Sequence, residues 1–281
     1  MGNYKKMQDL YQSINFESIE KINLEEKNQL DVLIHVAFTK SLQLNKILHE
    51  QIDNENSFLF LSSLRGICEE IIVLKYIHQE IKEADREAIV KSIFKVSTKK
   101  ELEQQSIFMK KYRPAQPILN AELSDHIEAE GLEDIFKRNG INAKTLPPTF
   151  QLAQKVNLEE LYNYLYRASC SFVHFNPRVM LRTVWYQNNN TEESNISITN
   201  FNKYYFSFCS FYSSYLLGLL YKTFNSKLNI DNESAQIVES IMEIIKNTTH
   251  FPELVTFEEF NLQRPETELT IINRHLKNQI F

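Results

Sequence analysis

Apolar positions recur with a helical period along almost the whole chain. Leu30, Leu33, Ala37, Leu44, Ile47 and Leu48 follow one another mostly at steps of three, four and seven, which places them along one side of a helix. Asn23, with Glu26 three residues on, reads as a capping box, so a helix is predicted from there to about residue 52. The polar run 53–57 breaks the pattern and caps a second helix, which carries Phe58, Leu61, Leu64, Cys68, Ile71 and Ile72 and continues to about Ile77. A third is predicted from about Glu83 to Tyr112 as a charged, solvated element. It is stopped by Pro114 and Pro117, which lack the amide hydrogen and clash with the preceding turn. Residues 118–150 read as short helices and loops, closed by Pro147 and Pro148. Asn157 and Glu160 repeat the capping box and start a helix that ends before Pro177. Two β-rich pieces around a polar loop then predict a small extended hairpin over 178–199. A long helix follows from about Phe201 to Lys227, an amphipathic one over 233–246 and a short one over 266–279.

These elements give an all-α helical bundle with one small extended insertion. The organisation expected is an N-terminal extension over 1–22, the bundle over 23–228 and a C-terminal helical extension over 229–281. Five glycines in 281 residues suit this class, and neither a G-x-G-x-x-G sequence nor a Walker loop occurs, which removes dinucleotide-binding and P-loop enzymes.

Charge and cysteine content narrow the picture further. The eighteen residues between Lys203 and Lys222 carry no charge, which reaches the length of a membrane span. Ser207, Ser210, Ser213, Ser214 and several tyrosines inside that stretch instead predict a central bundle helix, and no membrane. The net charge of −5 provides no global basic field, so contact with a polyanion has to come from a local patch. Cys68, Cys170 and Cys209 lie in apolar helical stretches without metal-binding or disulfide spacing, which points to the reducing cytoplasm. The N-terminal segment has no apolar run of the secretory kind, and Lys6 occupies the position where myristoylation requires Ser or Thr. The seven histidines form no H-x-x-x-H or H-E-x-x-H pair, so neither metal nor cofactor is expected.

Two helices carry polar groups in apolar surroundings. On a wheel of 100° per residue, Glu160, Tyr164, Arg167, Ser171 and His174 share one stripe of the helix 157–174. Arg65 and Glu69 stand four apart in the strongly apolar helix 57–77, where a lone charge costs several kcal/mol, on the order of a broken buried pair. Packing alone offers one account: an Arg65–Glu69 pair within the helix, Arg167 neutralising Glu70 or Glu160, and His174 favoured by the dipole at a helix C-terminus. Chemistry offers another. An imidazole can take the proton of a ribose 2′-hydroxyl or give one to a leaving 5′-oxygen, and a guanidinium can hold the scissile phosphate with two hydrogen bonds.

The spacing of Arg167 and His174 resembles the R-x4–6-H motif of the HEPN superfamily, helical bundles that include metal-independent ribonucleases of prokaryotic toxin and phage-defence systems. The ending of that helix, Ser171 to His174, together with the earlier helix bearing Arg65, Glu69 and the run Ile71 to Ile77, is similar to a group of uncharacterised bacterial helical proteins over about 25–225. The resemblance implies Arg167 and His174 as the catalytic pair, with Arg65, Glu69 and Ser171 supporting them or binding phosphate. It also implies RNA as substrate, a homodimer with a composite site, and a protein partner such as an antitoxin. Ala168 stands where many active members have a polar residue, often asparagine. Three readings follow: an endoribonuclease cutting by 2′-hydroxyl attack, a non-catalytic module that binds a nucleotide or a protein, and a plain helical scaffold.

Overall fold

The computed structural model describes residues 2–21, 28–50, 57–183 and 196–256. Every regular element among them is helical. The elements are α1 (Gly2–Ser13), α2 (Phe16–Glu20), α3 (Gln29–Glu50), α4 (Ser57–Glu80), α5 (Glu83–Tyr112), α6 (Leu132–Arg138), α7 (Thr149–Lys155), α8 (Glu159–Leu161), α9 (Arg167–Val173), α10 (Pro177–Arg182), α11 (Asn202–Phe224) and α12 (Asn232–Asn247). A 3₁₀ helix spans Ala121–His126, and a π turn over Tyr162–Tyr166 joins α8 to α9. The described residues of Met1–Asn23, Ile34–Ile71 and Glu160–Phe281 form one compact unit, and those of Leu24–Leu33 and Ile72–Glu159 another.

The first unit is built on α11. Tyr205, Phe206, Phe208, Phe211, Leu216, Leu217 and Leu220 are all buried, so this helix is apolar nearly all round, as its uncharged sequence predicts. No helix among the described residues is long and apolar enough to cross a membrane. The serines of α11 explain themselves through a buried polar network. Ser213 and Ser214 hydroxyls donate to Asn45 Oδ1 on α3 at 2.7 and 3.1 Å, Asn45 Nδ2 donates to the Ser213 carbonyl at 3.2 Å, and the Tyr11 hydroxyl of α1 donates to Ser214 Oγ at 2.9 Å. One asparagine thus ties two helices while α1 is drawn onto the same seam, and α1 sits in the core with Met7 and Tyr11 buried.

In the second unit, α5 begins with Glu83 and Asp85 and ends with Lys110 and Lys111, each sign placed against the matching end of the helix dipole. Asn139, just past α6, accepts the Lys82 amide hydrogen at 2.8 Å and donates to Asp85 at 2.9 Å, fastening α6 to the start of α5. Arg138 adds a bond to Asp85 at 2.8 Å, and this partner holds the Asp85 carboxyl below its usual range.

Two expectations differ from the structure. Asn157 does not cap a following helix: its φ of 55° is left-handed, and it terminates α7. Leu158 N–H donates to the Ala153 carbonyl at 2.8 Å and Asn157 N–H to the Gln154 carbonyl at 3.4 Å, the paired bonds of a Schellman ending. Asparagine suits both jobs, and here the left-handed cap wins, so the next helix starts at Glu159. The first arm of the predicted hairpin is instead α10. Asn176 Oδ1 accepts from the Arg178 and Val179 amides at 3.0 and 3.3 Å and Pro177 presets the first helical φ, which outweighs the β-branched residues after it. The end of that arm and the hairpin's polar loop, over 188–194, fall within 184–195 and lie outside the described residues. The capping box at Asn23 and the helix predicted over 266–279 also fall outside them, while Asn28 Oδ1 caps the described start of α3 by accepting the Asp31 amide at 2.9 Å.

Candidate active site

The site is assembled from α4 and from the continuous run α8, π turn and α9. A π turn adds a residue to the helical repeat, so residues before and after it no longer share the face an ideal wheel assigns them. Tyr164 therefore leaves the predicted stripe, and its hydroxyl meets that of Tyr212 at 3.1 Å and the Pro252 carbonyl at 3.4 Å. Arg167, Ser171 and His174 lie after the π turn and keep their common side.

α9 stops at His174, whose amide donates to the Cys170 carbonyl at 2.9 Å while its ψ of 163° turns the chain out of the helix. The imidazole is exposed. Facing it is Arg65 of α4, with Nη1 3.3 Å from His174 Nε2. Arg65 Nη2 donates to the Tyr166 hydroxyl at 3.4 Å, and the guanidinium carbon lies 5.5 Å from the Tyr166 ring centre. Tyr166 in turn stacks on Tyr162, with ring centres 4.8 Å apart and planes 18° apart. Arg65 is thus held from below by a tyrosine face and a phenol oxygen. The Tyr166 hydrogen bond, followed by the fields of Tyr166, Cys170 and Glu69, raises its pKa above the ordinary arginine value. The two Nη atoms of Arg65 carry four N–H groups, of which the His174 and Tyr166 contacts use two, so the fork is not saturated by the protein.

The arginine that touches His174 is therefore Arg65. Arg167 sits seven residues before His174 on the same helix, about 10 Å along the axis at 1.5 Å per residue. It is exposed and makes no hydrogen bond or ion pair among the described residues. Glu69 acts on Arg65 through its field. Glu70 pairs with Lys40 and not with Arg167. The Ser171 hydroxyl donates to the Ala168 carbonyl at 2.6 Å, which commits its proton to the backbone. Tyr166 was not singled out as a site residue by sequence reasoning. The signal for it is the pair Tyr162 and Tyr166, four apart beside the arginine, but its partner Arg65 lies 101 residues away in the chain.

Chemically, a fixed guanidinium with an unused donor beside an exposed imidazole can bind an anion and exchange a proton with it. Arginine has no acceptor, so in this contact Arg65 Nη1 donates to the lone pair of His174 Nε2. Among the described residues no group of three or more His, Cys, Asp or Glu could hold a metal ion.

No curated protein and no solved structure matches the chain. A family model described as "Family of unknown function (DUF5677)" matches residues 31–193. That span is more than half of the 281 residues and contains Arg65, Glu69, Tyr166, Arg167, Ser171 and His174, and the chain belongs to this family.

Proposed function

We propose that the protein is a metal-independent endoribonuclease of the kind found in HEPN toxin and phage-defence systems. The observation that carries this reading is the contact between Arg65 Nη1 and His174 Nε2 at 3.3 Å, between groups 109 residues apart in the chain. A phosphodiester entering the site offers Arg65 stronger, charge-assisted acceptors than the imidazole nitrogen. Arg65 turns to the phosphate and frees Nε2. His174 then removes the 2′-hydroxyl proton, the 2′-oxygen attacks phosphorus, the bond to the 5′-oxygen breaks, and that oxygen leaves with a proton returned by the imidazolium or by water. The arginine charge stabilises the extra negative charge of the transition state, and Arg167 supplies a second cation on the same helix side. The nucleophile belongs to the substrate, so this route needs no metal.

The same contact supports a second reading. Arg65 occupies the lone pair that a base must offer, as it would in a non-catalytic module that binds a nucleotide phosphate or a protein partner. Product chemistry separates the two. The nuclease leaves a 2′,3′-cyclic phosphate, and a single 2′-deoxy sugar at the scissile position blocks cleavage there. Cutting at the deoxy position, or a product without the cyclic phosphate, would remove the proposed mechanism.

A further inference from the structure

We infer that Phe175 is a stacking platform for an unpaired nucleobase, which makes single-stranded RNA the substrate class; this rests on the nuclease reading of the neighbouring histidine. Phe175 follows His174 directly and is 82% exposed, the most exposed large apolar side chain among the described residues. Its backbone is held on both sides. The His174 amide is bonded to Cys170, and Asn176 caps α10 with Pro177 at the first helical position. The ring is thereby presented to solvent from a three-residue link between two helices.

Its surroundings suit a polyanion although the whole chain is acidic. Between Glu160 and Glu192 the sequence contains no aspartate or glutamate; within that stretch Arg167 is exposed and Arg178 half-buried, while Arg182 is buried and donates to the Leu254 carbonyl. A strand approaching α9, the link and α10 therefore meets no carboxylate belonging to those elements. The extended ψ of 163° at His174 turns the side chains of 174 and 175 to different sides of the link, so a ring at 175 serves a nucleoside that flanks the phosphate handled at 174 and not the phosphate itself. A base within a duplex is already stacked on both faces, whereas an unpaired base offers a π-face to an aromatic side chain. Val173, Met180 and Leu181 are also exposed, so a protein partner using this apolar edge is the competing occupant. The charge pattern favours RNA, and the two differ in what they ask of residue 175: stacking needs an aromatic face, whereas an apolar protein contact needs only hydrophobic volume.

The test uses the full chain and a short single-stranded 2′-O-methyl RNA, which cannot be cut by 2′-attack, alone and annealed to its complement. Phe175→Leu is expected to weaken single-strand binding by about tenfold or more, the size of one lost stacking contact. Phe175→Trp is expected to retain binding, with quenching of the new indole by the single strand, and the duplex is expected to be indifferent to both changes. Absence of wild-type binding, equal binding by wild type and Phe175→Leu, or unchanged oligonucleotide binding accompanied by altered self-association would each overturn the inference. Failure of the two readings is distinguishable. A stacking signature in a protein whose cleavage is unaffected by His174→Ala removes the nuclease alone, and cleavage lost with His174→Ala but insensitive to residue 175 removes the platform alone.

Discussion

His49 shows what a single buried residue does to this fold. Its ring is fully buried on α3, with Nδ1 donating to the Asn45 carbonyl at 2.8 Å and the Tyr11 ring centre 4.7 Å away. Burial pushes its pKa down to about 4, partly opposed by the Asn45 bond. The unfolded chain, with a histidine pKa of about 6.5, takes up a proton that the folded chain refuses. Stability from this group is complete above about pH 6.5 and is lost as pH falls towards 4, by about 3 kcal/mol in all. His49→Phe is expected to flatten that part of the pH dependence in urea denaturation. An equally steep profile in the variant would show that other groups carry it. The buried histidine was not visible in the sequence, because its burial depends on α1 folding over α3. Arg65 and His174 were visible as odd polar residues in apolar helices, but their contact was not, since nothing in either local pattern encodes a distance across 109 residues.

At the scale of elements, periodicity gave the long helices well. α5 spans Glu83–Tyr112 and ends before the prolines as predicted, and α11 and α12 lie where the uncharged and amphipathic stretches place them. The local irregularities escaped: the π turn at Tyr162–Tyr166, the left-handed Asn157 and the Asn-Pro start of α10 all depend on choices between competing caps and turns that tertiary packing decides. Close packing also sets a limit between α11 and α12. A Cβ added at Gly218 would lie 2.8 Å from Met242 Cγ. Gly218→Ala gains up to about 1 kcal/mol of helix propensity, against an overpacking cost of about 1–3 kcal/mol, for a net loss of about 1 kcal/mol. On a Met242→Ala background the same change is expected to be neutral or stabilising. A double-mutant cycle by urea denaturation measures this coupling, and strict additivity would mean that the two side chains do not oppose each other.

For the whole molecule, the proposed nuclease carries an expectation of assembly as a homodimer. α11 uses its apolar surface inside its own unit, whereas Met180 and Leu181 of α10 remain 56% and 61% exposed. Sedimentation at micromolar concentration is expected to show a dimer, weakened by Leu181→Glu. A monomer at every concentration would exclude a constitutive site shared between copies. The all-α class was legible because helix periodicity is written locally along nearly every segment. The candidate site was legible only as residue types, and the structure adds the contact between Arg65 and His174. The most direct measurement of the central claim is cleavage of total RNA by the purified protein, with and without EDTA, beside His174→Ala and Arg65→Ala. The expected result is cleavage that persists in EDTA, falls by about a hundredfold or more in His174→Ala, and is reduced but not abolished in Arg65→Ala. Equal cleavage by wild type and His174→Ala would contradict it.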